Sequence, residues 1–487
     1  MIKRILAVAA AAALVLTTVV VYRAVTWPSS QPEPAEVFHG EVRDGAIERL
    51  AEALRFPTIT WTDREFDTAV FDDFLGWLEA SYPLTHQRLE VERHGDYSLL
   101  ITWPGADASL DPVLLMAHYD VVPIEPGTEH EWTYPPFDGT IADGYVWGRG
   151  ALDDKSGVIG ILEAVESLLD EGFEPERTVL LAFGHDEEIG GHDGAARIAR
   201  HLQQSGVRLH WVLDEGGLVL DDSQFLGGPA ASISTAEKGY LSLRLVARAP
   251  GGHSSQPPDR TAVGLLAEAV DRIQKQPFPA RLQPPTTDMF DVMAGEIDGA
   301  MRYLLTNRWL FSGLIKRRAP EDPLFNAIVR TTTAPTMLAA GDKDNVLPQR
   351  AEAVINFRLL PGDSVEQVEA RIVEIVDDER ISVERYGAFG IEASAVSPVD
   401  DPFYRSLAAT IRGVWPDVVV APFLLTGATD SRHYAPLTDR IYRFRALRLL
   451  QAEIGTVHGT DERVDAQAYL EGIQFYRTVI ARETAAF

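Results

Sequence analysis

Apolar and polar positions along this chain follow two rhythms, and the change from one to the other divides it. From Asp44 the stretch DGAIERLAEALRFPTI carries apolar residues at helical spacing and predicts the first helix of the folded part. Beyond it one grammar repeats. The runs DPVLLMAHYDVVP (111–123), RTVLLAFGHDEE (177–188) and LHWVLDEGG (209–217) are strand-like and apolar, and each ends at once in histidine or acid. SGVIGILEAVESLLDEGFEPE, between the first two, reads as a helix closed by Glu-Gly, and DGAARIARHLQQSG fills the next gap in the same way. Strands alternating with helices predict an α/β fold: a mixed, mostly parallel sheet covered by helices on both faces. Ligands in such sheets bind beyond the carboxyl ends of the strands, where each run places its polar cluster.

Near residue 240 the period becomes two. GYLSLRLVARAPGGHSS and AEAVINFRLLPG alternate as half-exposed antiparallel strands do, and VEQVEARIVEIVDD follows as an amphipathic helix. These predict an inserted α+β domain, a lid or dimerisation domain, over 241–388. Strand–helix grammar resumes afterwards, so the first domain is discontinuous, 41–240 and 389–487. Within the insertion, 286–318 is helical and fairly apolar; it is expected to pack inside the insert or at an oligomer interface, with a greasy substrate or a nearby bilayer as the second reading.

The amino terminus carries Lys3 and Arg4 ahead of an apolar run from about Ile5 to Tyr22. That length is at the lower edge of a membrane span and long for a secretory segment, and Arg23 interrupts any small-residue cleavage site. Residues 1–26 are read as an uncleaved anchor, with a cleaved signal as the alternative, and the bulk of the chain as exported. Residues 27–40, containing WPSSQPEPAE, read as an extended Pro-rich tether.

Composition narrows the chemistry. The 487 residues include 72 acidic and 44 basic ones, a formal charge of −28 that argues against nucleic acid as a partner. With no cysteine there is neither disulfide nor thiolate ligand, so any metal is held by His, Asp and Glu. His118 and Asp120, two apart at a strand end, point the same way. WGRGALDDKSG supplies Asp153 and Asp154, GHDEEIGG supplies Asp186, Glu187 and Glu188, LDEGG supplies Asp214 and Glu215, and VHGTDERV supplies His458. This nitrogen and oxygen set suits zinc or a neighbouring divalent metal. A two-metal centre accounts for crowded acids: with Glu188 as a ligand, Glu187 is free to act as general base on the attacking water.

The ordered motifs MAHYDVVP, WGRGALDDKSG, FGHDEEIGG, VLDEGG, GGHSSQPP, NVLPQRAEAVINFRLLPG, TGATDSRHY and VHGTDERV resemble the co-catalytic zinc metallopeptidase family of aminoacylases, carnosine dipeptidases and carboxypeptidase S. The resemblance runs from about residue 44 to the end and is nearest to the branch of carboxypeptidase S and secreted N-acyl amino acid hydrolases. It implies two Zn²⁺, one held by His118, Asp153 and an acid of LDEGG, the other by Asp153, Glu188 and His458. Asp153 would bridge, followed by a cis peptide bond to Asp154. At LDEGG, Asp214 is the favoured ligand and Glu215 the alternative. Asp120 would orient His118, and Glu187 would be the base. Arg358 would hold the substrate's carboxylate, while His253 and Asn345 would reach the scissile carbonyl, His253 from a partner subunit of a homodimer. Thr429, Asp430 and Arg432 match a substrate-side loop without an assigned role. The implied activity is hydrolysis of an amide next to a free carboxylate, in a peptide or an N-acyl amino acid. A dipeptidase of the same family is the first alternative, and a non-catalytic metal-binding or scaffold relative the second.

Overall fold

A computed structural model describes residues 1–38, 40, 42–62, 64–224 and 226–485. The larger of its two main sheets has eight strands in the order β1 (Glu90–His94), β2 (Ser98–Trp103), β6 (Val179–Gly184), β3 (Val113–His118), β7 (Trp211–Ser223), β16 (Ile441–Leu449), β8 (Gly228–Glu237) and β15 (Val419–Leu425). The central strands β6, β3, β7 and β16 are parallel, as are β8 and β15. β1 and β2 add antiparallel edges. The expected mixed, mostly parallel sheet is therefore present.

β3 and β6 are buried at every position because both faces are covered. Leu115 and Leu181 face one core, shared with Ile159 and Ile473; Leu114 and Leu180 face another, shared with Ile198 and Leu202. The helix Lys155–Asp170 is buried on nearly all sides, which suits its unbroken apolar run. Gly472 lets the helix Ala466–Thr484 approach β16: a Cβ there would clash with the Ala446 carbonyl oxygen.

The second sheet is antiparallel, in the order β11 (Thr332–Ala340), β13 (Arg350–Leu359), β9 (Gly239–Arg248) and β14 (Ile381–Ile391). Leu243, Ile355, Leu266 and Ile372 join it to the helices Ala262–Lys275 and Val365–Val376 in a separate core. Two small pairings matter for the site. β5 (Tyr145–Trp147) lies between β4 (Thr140–Ala142) and β17 (Arg463–Asp465), which draws the 148–154 loop to the 458–462 loop. β10 (Gly252–His253) pairs with β12 (Val346–Leu347) as a short ribbon.

Two expectations change here. The helices of 286–318 pack inside the insert, as expected, but not only there: Met289, Phe290 and Met293 share a core with Ile328, Val329 and Leu360 and also with Ala236, Ala421 and Leu424 of β8 and β15, the edge of the larger sheet. The Pro-rich segment is extended but is no free tether. Gln31 exchanges two hydrogen bonds with the backbone of Val420 (2.8 and 3.0 Å), Ala35 N–H donates to Ala409 (2.8 Å), and Trp27 Nε1 donates to Asp291 (3.0 Å). Proline keeps the backbone extended, and its neighbours then supply the donors and acceptors that pin it along the body.

Candidate active site

Register assembles the site. His118 ends β3 opposite Gly184, the last residue of the neighbouring β6, so the helical turn Glu187–Ile189 that follows lies beside the imidazole. Asp120 joins the two. Its carboxylate accepts the backbone N–H of Glu187 and of Glu188 (both 3.1 Å) and the Thr60 hydroxyl (2.9 Å), and lies 3.3 Å from His118 Nδ1. The adjacent acids are thus held by their own amides on a third carboxylate.

Asp153 stands between the two histidines. His118 Nε2 lies 3.2 Å from Oδ1, and His458 Nε2 lies 3.0 Å from Oδ2. His458 is also 3.2 Å from Glu188 Oε1. The Asp153–Asp154 peptide is cis, as the motif resemblance implied. At LDEGG the pleat separates the two acids. Glu215 Oε1 lies 3.5 Å from His118 Nε2, whereas Asp214 turns away and accepts the N–H of Ser431 (2.9 Å). The favoured choice of Asp214 is therefore corrected in geometry: Glu215 faces the cluster and Asp214 clamps the turn carrying Asp430.

The electrostatics are those of a donor set short of positive charge. Burial, with Asp430, Glu215 and Glu188 nearby, pushes Glu187 well above the usual carboxylate range. Burial raises Glu188 to about 7. Hydrogen bonds to Asp153 and Glu188 raise His458 to about 10. Glu188 Oε1 is buried and faces His458. The His118 imidazole and carboxylates converging within ligand spacing, in the groups His118–Asp153–Glu188 and His118–Glu187–Glu215, fit divalent metal, and His458 adds a second imidazole beside Asp153 and Glu188.

Three residues of this site were not singled out from sequence. Arg445 of β16 pairs with Glu215 and with Asp153 Oδ1 (2.7 Å). Glu462 is buried and accepts the N–H groups of Gly150 (3.0 Å), Leu152 (2.8 Å) and Asp153 (3.1 Å). Arg149 bonds Glu462 (2.6 Å) and the His458 carbonyl (3.2 Å), which ties the two metal-side loops together. Arg149 was detectable as a lone cation in a glycine-rich run, Arg445 as one of three arginines in an apolar run, and Glu462 as an acid four residues after His458.

The substrate-side candidates stand apart. Arg358 on β13 is half-buried, its guanidinium 4.7 Å from the Tyr240 ring centroid. His253 and Asn345 are exposed beside the ribbon, where Asn345 accepts the Ser254 N–H (3.2 Å) and His253 Nδ1 accepts that of Ser255 (3.1 Å). No described contact joins either to the His118–His458 cluster. Thr429 and Arg432 buttress it from behind: Thr429 bonds Glu237 (3.0 Å), and Arg432 donates to the Gly190 carbonyl (2.7 Å) after Glu188.

A mixed sheet with histidines and acids at its carboxyl edge, interrupted by a four-stranded antiparallel insertion, defines a class of metal-dependent hydrolases. The chain belongs to peptidase family M20/M25/M40, whose model matches residues 114–482. It is 39% identical over 447 residues to the human N-fatty-acyl-amino acid synthase/hydrolase PM20D1, covering 90% of this chain and 88% of that protein. It is 39% identical over 439 residues to a probable carboxypeptidase S-like 2 of Dictyostelium discoideum, covering 89% and 84%. Its fold matches an M20 family metallo-carboxypeptidase, Sso-CP2, of Sulfolobus solfataricus at TM-score 0.67 and 18% identity, covering 90% of this chain and 99% of that one. It also matches human carnosine dipeptidase 1 at TM-score 0.64 and 13% identity, covering 90% and 95%.

Proposed function

We propose that the chain is a two-zinc hydrolase that cleaves an amide whose amine side bears a free carboxylate, as in N-acyl amino acids and carboxy-terminal peptide bonds. The observation that carries this is Asp153, whose two oxygens face two different histidines, with Glu187 left among the acids as a base. His118, Asp153 and Glu215 would hold one cation, and Asp153, Glu188 and His458 the other. Bound there, the pair would supply Lewis acidity, polarising the scissile carbonyl and acidifying the attacking water.

The chain's own groups do the rest. Arg358 bonds the substrate carboxylate through its guanidinium fork. Glu187 takes the proton of the attacking water and returns it to the leaving nitrogen. His253, reaching over from a partner subunit, donates to the oxygen of the tetrahedral intermediate, with Asn345 beside it. A homodimer suits the second sheet, since β11 is an edge strand with Met337 and Leu338 exposed. The helix Ile2–Thr26, long and apolar enough to cross a membrane, serves as the anchor that places the enzyme outside the cytoplasm.

The likeness to both an N-fatty-acyl-amino acid hydrolase and a carboxypeptidase S-like protein supports the two substrate classes. Profiling zinc-loaded protein against N-fatty-acyl amino acids, dipeptides and longer peptides, with Glu187→Gln as control, tests the reading. Turnover of carboxylate-bearing amides only by the unsubstituted chain is expected; no turnover of any class with both metals bound would return the chain to a binding role.

A further inference from the structure

A helix on the surface of a soluble protein turns its polar face outward. The helix Arg308–Arg318 is apolar on both faces over its first two turns. Phe311 and Ile315 pack inward against the core shared with β8 and β15. The outward face carries two rows at i, i+4 spacing, Trp309–Gly313–Arg317 and Leu310–Leu314–Arg318, apolar for two positions and then basic. Trp309 is 57% exposed and Leu314 46%, and Met301 on the preceding helix Gly299–Thr306 is 51% exposed. Scattered apolar residues need no explanation, but a continuous patch does.

What lies beside the patch identifies its occupant. The end of the helix Ile2–Thr26 is bolted to Gly299–Thr306 and to Asn307, the residue that joins it to Arg308–Arg318: Asn307 Nδ2 donates to Val20 (3.1 Å), Arg23 Nε to Thr306 (3.1 Å), and Arg302 to Ala24 and Trp27 (2.6 and 2.9 Å). Ala24 is buried in that contact, whereas the rest of the helix is almost wholly exposed. A bilayer's hydrocarbon takes up about 20 helical residues, so the last turns of a 25-residue span emerge at headgroup depth, which is where these contacts occur. Lys316, Arg317 and Arg318 supply positive charge to anionic headgroups, in a chain whose net charge is −28.

We propose that Gly299–Arg318 is a second membrane contact. Trp309, Leu310 and Leu314 enter the interface beside the anchor, so the catalytic body is held in one orientation on the bilayer instead of swinging from a tether. This rests on the reading of Ile2–Thr26 as a membrane span. The chain has no cysteine, so single substitutions report cleanly. Full-length protein in vesicles containing anionic phospholipid would carry a nitroxide at Leu314→Cys, Val15→Cys or Val373→Cys, the last being exposed on the distant Val365–Val376 helix. Collision with oxygen and with a water-soluble nickel complex gives depth. Leu314 and Val15 are both expected to be protected from nickel several-fold relative to Val373. Leu314 as accessible as Val373, with Val15 protected, would overturn the proposal and leave the anchor standing. Val15 accessible to nickel would remove the anchor and the proposal with it. Spin–spin broadening at Leu314 without oxygen exposure would give the face to a second copy and overturn the lipid contact.

A separate cluster supports an independent inference at the opposite edge of the larger sheet. Glu92 and His94 share one side of β1, and His201 on the helix Ala195–Gln204 meets them. Glu92 Oε2 lies 3.7 Å from His94 Nε2 and 3.9 Å from His201 Nε2, with the imidazole centroids 4.9 Å apart. His94 Nε2 is buried and has no hydrogen-bond partner. Burial and His201 also lower its proton affinity, which favours the neutral ring that a cation would need. The geometry points to a divalent metal site of two imidazoles and one carboxylate, taking Zn²⁺ with water as a fourth ligand and stapling β1 to the helix. Zinc content of the full chain after equilibration and gel filtration tests it. The double variant His94→Ala/His201→Ala is expected to hold one zinc fewer per chain with hydrolysis unchanged. Equal zinc in both proteins would overturn the assignment.

Discussion

The His118–His458 cluster and the β10–β12 ribbon differ in how completely the chain supports them. In the first, three acids are tied by backbone amides or cations: Asp120 by two amides, Asp153 by Arg445, Glu462 by three amides and Arg149. In the second, His253 and Asn345 are exposed and bonded only to nearby backbone. Water activation demands groups fixed to a fraction of an ångström, whereas substrate recognition tolerates parts that assemble around the ligand. The contrast puts the fixed side chains on the larger sheet and the loosely held ones on the insertion.

The sharpest way to break this division is Glu187→Gln, which should lower kcat by about 10³-fold or more while metal analysis finds the zinc retained. Loss of metal with activity would make Glu187 a ligand. His253→Ala should cost about 10²-fold in kcat with unchanged metal content and melting temperature, the expected effect of one lost oxyanion donor. Mixing it with Glu187→Gln chains should restore turnover, since one hybrid site then has both groups; no recovery would place His253 in its own subunit's site. Arg358→Ala should act mainly on KM, by roughly 10- to 100-fold for carboxylate-bearing substrates, as loss of a charge-assisted hydrogen bond does. An equal effect on a substrate with an amidated terminus would remove Arg358 from carboxylate binding.

Within the rigid half, Glu215→Gln should weaken zinc retention under chelator dialysis, whereas Asp214→Asn should retain zinc and lose about 1 kcal/mol of stability in thermal unfolding, in line with one weakened hydrogen bond. The reverse pattern would restore Asp214 as the ligand. Glu462→Gln leaves Arg149 buried without its anionic partner and should destabilise the fold by roughly 3 kcal/mol.

Much of the site was legible because the motifs of His118, Glu187–Glu188 and Glu215 each follow an apolar run, and such runs end at the same edge of a parallel sheet. His118, Asp120, Asp153, Glu187, Glu188 and His458 are drawn together as their motifs implied. The choice between Asp214 and Glu215 was not legible. Neighbours on a strand face opposite sides, but which side holds the metal depends on how β7 aligns with β3 and β16. Nor could composition show that 286–318 packs on β8 and β15, since an apolar face does not name its partner.

The sequence by itself determined the α/β grammar, the inserted antiparallel sheet, the family motifs and the donor types, because local periodicity and residue chemistry are properties of short stretches. Only the tertiary structure decided that Glu215 faces His118, that Arg445 enters the acidic cluster, that Glu462 gathers the amides of the Asp153 loop, and that the Pro-rich segment lies along the body. These contacts join residues far apart in the chain, and strand register and helix docking bring them within bonding distance.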